Sequence, residues 1–166
     1  MGDLTLTFLG SGDAFGSGNR LQPCLHVDMG ISNKFLIDCG TTVMIGIRKF
    51  NIDPNEISTI YISHMHGDHF AGISFFVLDA QLVSRRTQSI TVYVPTGGKE
   101  QLINTMEVLF PGSYYSKKKF TLDIREMDAE KTYSYNCVDI ISYKVNHSGL
   151  DARALRISAN GKIIAY

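Results

Sequence analysis

His64-Met65-His66-Gly67-Asp68-His69 places three imidazoles and a carboxylate within six residues. Neutral histidine offers nitrogen and aspartate offers oxygen to divalent zinc, which gathers about four such ligands in a tetrahedron. This segment therefore carries enough donors to serve more than one ion. The chain has five histidines, and three of them fall here; scattered packed or solvated histidines do not cluster in this way. Just upstream, Ile57-Ser58-Thr59-Ile60-Tyr61-Ile62-Ser63 is rich in β-branched residues and reads as a buried strand. The ligands then lie in a loop at the end of a rigid strand, a common place for chemistry. Gly67 reads as the point where the backbone relaxes so that closely spaced ligands can splay apart.

Outward from this segment, alternation over residues 3–9 predicts an opening strand, followed by a glycine-rich loop over 10–19. Residues 25–29 and 34–38 predict a hairpin around Gly30-Ile31-Ser32-Asn33. Residues 41–50 carry helical spacing, and Asp53-Pro54 resembles an N-cap with proline at the first helical position. After the histidine cluster, Phe70, Ile73, Val77 and Leu78 give residues 70–86 one apolar helical face. Strands are predicted at 90–94, 120–126, 133–135, 138–145 and 152–159, with a second long helix at 98–110. Asn160-Gly161 is a strong hairpin-turn signal, and a return strand begins at Lys162. Ile163 and Ile164 read as core residues of a strand with more to follow, so the chain reads as truncated. Domains of this kind often reach roughly 200–250 residues.

The composition limits the function classes. At 166 residues with 44% hydrophobic and 19% charged content, the chain is ordinary globular sequence rather than disorder. Sixteen basic residues balance sixteen acidic ones, so nothing in the charge calls for a nucleic-acid or anionic-membrane partner. Arg85-Arg86 and Lys117-Lys118-Lys119 read as solvated surface. Cys24, Cys39 and Cys137 are odd in number and widely spaced, which argues against a disulfide framework and for a reducing cytoplasm. The start lacks a basic segment followed by an apolar run, and no stretch approaches the length of a membrane span. Gly10-Ser11-Gly12-Asp13-Ala14-Phe15-Gly16 has G-x-G-x-x-x-G spacing, one residue too long for a dinucleotide fingerprint, and strands rather than a helix follow it. It reads as a loop beside the metal site where substrate can approach the backbone.

Taken together, these segments resemble the metallo-β-lactamase-fold hydrolases, in their ribonuclease Z-like branch. His64, His66, Asp68 and His69 match the H-x-H-x-D-H signature. The segment from Leu6 to Ala14 resembles the opening strand and glycine loop. Phe35-Leu36-Ile37-Asp38-Cys39-Gly40 resembles the strand ending in D-x-G, and Asn146-His147-Ser148-Gly149 falls where the third histidine ligand is expected. The resemblance runs from about residue 4 to the last residue. It implies an α/β (α+β) fold, the αββα sandwich, of which this chain holds the N-terminal two thirds as one domain over 1–166. Mostly antiparallel sheet is expected to pack against 70–86 and 98–110.

The resemblance also implies roles. His64, His66 and His147 would hold a first zinc, and Asp68 and His69 a second. A bridging aspartate and a last histidine would follow the hairpin, where this chain has ended. Two zinc ions are expected in the complete protein, with manganese as an alternative. The implied chemistry is a zinc-activated hydroxide attacking phosphorus or a carbonyl carbon, with Asp68 as catalytic proton acceptor. Asp38 reads in two ways: as a turn-capping residue before Gly40, or, through the family pattern, as the carboxylate that orients a ligand histidine from behind. His147 alone would read as a surface histidine; its place before a strand and hairpin favours the ligand reading. His26 lies in a strand and reads as structural. The function expected is a metal-dependent hydrolase of a small-molecule phosphodiester or ester. Transfer-RNA 3′ processing and a non-catalytic metal-binding interaction module are the alternatives. Association into a homo-oligomer is expected, no membrane partner is, and the 166-residue chain alone is expected to be a poor hydrolase.

Overall fold

Strand β1 (Thr5–Gly10) pairs antiparallel with β2 (Cys24–Asp28), which turns back into β3 (Lys34–Ile37). From β3 onward the strands run parallel: β4 (Ile57–Tyr61), β5 (Ile90–Pro95) and β6 (Leu122–Met127) complete a six-stranded sheet in sequential order. The computed structural model describes residues 4–30, 33–147 and 149–166. Asp3 of the expected opening strand, Ile31 and Ser32 of the expected turn, and Ser148 lie outside the described residues.

Parallel neighbours require a crossover, and helices supply each one. Helix α1 (Val43–Lys49) links β3 to β4. A short α2 (Gly67–Phe70) and then α3 (Gly72–Leu82) link β4 to β5, and α4 (Gly98–Leu109) links β5 to β6. The sheet under the helices is therefore mixed, not mostly antiparallel as expected. Side-chain periodicity marks a strand, but the crossover decides its direction.

Alternate residues of the same strands feed two cores. Leu36, Ile60, Val92 and Val94 face Val43 and Ile47 of α1, Ile73, Phe76 and Val77 of α3, and Leu102 and Met106 of α4. Phe35, Ile37, Tyr61 and Tyr93 face the other way, onto Val138, Ile140, Leu155 and Ile157. Those four belong to a second sheet, in which β7 (Thr132–Tyr135), β8 (Val138–Val145), β9 (Ala152–Ala159) and β10 (Lys162–Ala165) are antiparallel throughout. Asn160 (φ 48°) and Gly161 (φ 70°) make the tight β9–β10 turn that their sequence announces. The described layers are thus helix, mixed sheet and antiparallel sheet.

Two expectations are corrected in this framework. The helix expected over 70–86 breaks at Ala71 and ends at Leu82, with Arg85 in left-handed backbone (φ 50°). Arg86 is not solvated: it is 2% exposed and donates to the carbonyls of Pro54, Ile57, Gln88 and Ser89. A planar guanidinium with five donors can close off strand and loop ends at one buried point, which its place in a charged pair did not suggest. No helix among the described residues is long and apolar enough to cross a membrane.

Candidate metal centre

The site forms where β3 and β4 end side by side. Asp38 N donates to Tyr61 O at 2.8 Å, and Ile62 N to Tyr93 O at 2.9 Å, so the segment entering His64 is held on both sides. Asp68 and His69 then lie on α2 rather than in a loop, with His69 N donating to His66 O at 2.9 Å. The start of α2 and α3 is stitched to the end of β3: Cys39 N donates to His69 O at 2.6 Å and Gly72 N to Cys39 O at 2.9 Å. This closeness demands glycine at two positions. A Cβ on Gly72 would lie 2.0 Å from Gly40 O, and one on Gly40 would lie 2.4 Å from Asp68 O. Gly67, expected to supply the backbone freedom, has open space around it and no left-handed φ. Gly10, the last residue of β1, likewise serves close packing, since its Cβ would meet Gln22 O at 1.9 Å.

Three ring nitrogens converge. His64 Nε2 lies 3.1 Å from His66 Nδ1, and His147 Nε2 lies 3.3 Å from the same atom. The ligand atoms of all three residues lie within 4.8 Å of one another. Nitrogens bound to one tetrahedral zinc at about 2.0–2.1 Å would stand about 3.3 Å apart, so two of these separations match an edge of such a site. Beside this triangle, His69 Nε2 faces Asp68 Oδ2 at 3.5 Å, and the His64 and His69 ring centres are 4.1 Å apart. The structure therefore brings together all five residues singled out as ligands.

Hydrogen bonds behind the rings decide which nitrogens face inward. Asp38, fully buried, accepts from Ser63 N on Oδ1 at 2.7 Å. Its Oδ2 accepts from Ser63 Oγ at 2.8 Å, from His69 Nδ1 at 2.5 Å and from Tyr166 Oη at 2.8 Å. The Ser63 hydroxyl spends its one proton on the carboxylate, so at 2.9 Å it accepts from His64 Nδ1–H. His64 Nε2 is then left with its lone pair toward the triangle. His69 is arranged alike: Nδ1–H donates to Asp38, which leaves Nε2 on the side of Asp68. Such outward bonds are what hold metal-binding imidazoles in one tautomer.

The electrostatics agree. Burial, and next the neighbouring His69, push His64 down to about 4, so it stays neutral and able to donate an electron pair. Burial, the largest single influence, would lower His69, but its bond to Asp38 together with the charges of Asp38 and Asp68 raises it. A donor set of imidazoles with one carboxylate suits a borderline-soft divalent ion such as zinc.

Asp38 thus occupies the orienting position that was one of its two readings. Ser63 and Tyr166 were not singled out from sequence. Ser63 adjoins His64 and could have been suspected on that ground; nothing around Tyr166 signals a bond to a residue 128 positions away. His26 is buried in β2, away from the ligand set, with Nε2 unpartnered.

Comparison with known proteins bears on the fold and the family. A ribonuclease Z from Aeropyrum pernix is 35% identical over 107 residues, covering 64% of this chain and 34% of its own length. The metallo-β-lactamase-fold protein YhfI from Bacillus subtilis superposes with a TM-score of 0.77 at 17% identity, covering 98% of this chain and 62% of that one. The short form of human tRNase Z (ELAC1) gives 0.76 at 22% identity, covering 96% and 67%. The two structural likenesses establish the fold. The chain spans about a third to a half of the curated relatives it matches. The sequence pattern of the Anti-Pycsar protein Apyc1 family matches residues 4–164. With that match across nearly its whole length, on a ribonuclease Z-like metallo-β-lactamase fold, the chain belongs to the Anti-Pycsar protein Apyc1 family.

Proposed function

We propose that this protein is a metal-dependent hydrolase acting on a small-molecule phosphodiester or ester. The observation that carries this reading is the convergence of His64 Nε2, His66 Nδ1 and His147 Nε2 beside the Asp68–His69 pair. His64, His66 and His147 would hold one divalent ion, and Asp68 and His69 would contribute to a second. When bound, zinc or manganese supplies a Lewis acid and acidifies water near neutral pH. The chain's own residues do the rest. Ser63 and Asp38 hold the His64 and His69 imidazoles in the tautomer that points a lone pair inward. Asp68, next to His69, accepts a proton at its carboxylate from the attacking water.

A second observation favours a small substrate over transfer RNA. Arg86 is tied to Ile57 O at the start of β4, and Lys117, Lys118 and Lys119 line the same cleft. The histidine cluster follows the other end of that strand, a distance on the order of 20 Å for five residues plus the exit. The segment after α4 is also not an arm: Gly112 N and Tyr114 N both donate to the Glu107 carboxylate, which folds it back. The name of the family attaches an anti-Pycsar role to its namesake, and the proposal extends to that role here. A reducing cytoplasm remains the compartment we assign.

The test is zinc content together with turnover of bis-(p-nitrophenyl) phosphate and of a precursor transfer RNA. We expect zinc in the purified protein and zinc-dependent turnover of the small diester, lost in His66→Ala. Preferred cleavage of the RNA would overturn the substrate class. Zinc binding with turnover of neither would favour a metal-binding interaction module instead.

A further inference from the structure

We infer that Tyr166 is a positioning residue for the metal ligands, its phenol holding Asp38 in the orientation from which Asp38 aligns His69 directly and His64 through Ser63. The inference rests on the metal-centre reading above. Among the described residues Asp38 is the one carboxylate bonded behind both His64, through Ser63, and His69, and its donors come from different places. Ser63 and His69 belong to the six-stranded sheet and its helix, whereas Tyr166 follows β10 of the other sheet. Without Tyr166, every bond to Asp38 would come from groups that move with the ligands themselves. The phenol adds an anchor from outside.

That anchor is firm. Tyr166 N donates to Leu155 O at 2.9 Å and Leu155 N to Tyr166 O at 2.8 Å, so the residue continues the β9–β10 ladder. Its ring packs against the core between the sheets. Burial, and next the adjacent Asp38, raise its phenol, so it remains a donor. The consequence is mechanical: the second sheet contributes His147 to the ligand triangle and, through Tyr166, also sets the angle of ligands it does not carry. Outer partners of this kind typically change metal affinity by about 10–100-fold.

The experiment titrates zinc against a chromophoric chelator and records the visible absorption of the cobalt(II)-substituted protein. Tyr166→Phe keeps the ring and removes only the hydroxyl. We expect zinc affinity to fall about tenfold and the cobalt bands to shift. Tyr133→Phe is the control, since Tyr133 accepts from Asp128 N at 2.8 Å in the same sheet, remote from the ligands; its zinc affinity and spectrum should match the wild type. If Tyr166→Phe binds zinc within twofold of wild type with unchanged bands, the inference is overturned while the metal reading stands. If the wild type takes up neither metal, both fall. Should Tyr166→Phe melt lower than Tyr133→Phe, a double-mutant cycle separates fold from positioning. In an Asp38→Asn background, losing the phenol should cost no further zinc affinity, and an additive loss would overturn the inference.

Discussion

The two sheets bring very different kinds of support to the same point. Strands β3, β4 and β5 are buried almost residue for residue, and the segments leaving them carry Asp38, Ser63 and His64 in a lattice of bonds between 2.5 and 2.9 Å. In the second sheet β8 alternates buried with exposed residues toward its start and becomes exposed at its end, where it releases His147, itself exposed. One side of the site is a preformed socket. The other delivers a single ligand from a strand end and a single phenol from the next hairpin. Rigidity in the socket comes from burial with every donor matched; adaptability on the other side comes from having little packed around His147.

Four measurements bear on that contrast. The largest effect belongs to Asp38. Asp38→Ala would strand Ser63 N, Ser63 Oγ, His69 Nδ1 and the Tyr166 hydroxyl at a buried point, and we expect a loss of about 3 kcal/mol or more in denaturant unfolding. A loss below about 1 kcal/mol would show that the socket is not preformed in the metal-free protein.

Next come the two close turns. Gly72→Ala forces a methyl against Gly40 O and should cost about 1–3 kcal/mol. Gly161→Ala, at φ 70° in the β9–β10 turn with open space around it, should cost about 1 kcal/mol. Equal midpoint shifts in urea for the two variants would erase the distinction between the sheets.

A pH effect follows, with opposite signs within the site. Burial lowers His26, and burial with His69 lowers His64 to about 4. Both take a proton less readily in the fold than in the unfolded chain, where histidine titrates near about 6.5, so each removes stability as pH falls below that value. His69 is raised, so its contribution is present below 6.5 and fades as pH climbs through its folded value. Each proton changes stability by at most about 1.4 kcal/mol per pH unit. His26→Leu, which replaces an unpartnered buried nitrogen, should flatten the acid-side slope of the metal-free protein below about pH 6.5. An unchanged slope would mean that His26 is protonated in the fold.

The smallest stability effect is expected at His147. His147→Ala should alter metal-free stability by no more than about 0.5 kcal/mol, because the side chain is exposed. It should nevertheless weaken zinc binding as strongly as His66→Ala, since each removes one of three nitrogens. Calorimetric melting beside zinc titration separates the two quantities. A zinc affinity untouched by His147→Ala would leave the site to the socket alone.

The amino-acid sequence by itself carried the H-x-H-x-D-H cluster, the strand before it, the hairpin at Asn160-Gly161 and nearly every later strand and helix. These are local matters: ligand density, β-branching, turn chemistry and period are all legible within a few residues. It did not carry strand direction in the helix-covered sheet, which depends on how each crossover helix packs. Nor did it show that Gly40 and Gly72 are the tight glycines rather than Gly67, because the crowding atoms come from segments distant in the chain. Arg86 reads as surface from its charged neighbour, and only the fold gathers four carbonyls around it. His147 was a lone histidine until the second sheet set its Nε2 3.3 Å from His66 Nδ1. Tyr166 meets Asp38 only because two sheets, each ordered by its own side-chain alternation, pack face to face. Pairwise proximity across 128 residues is a property of that packing, and no periodicity in the chain records it.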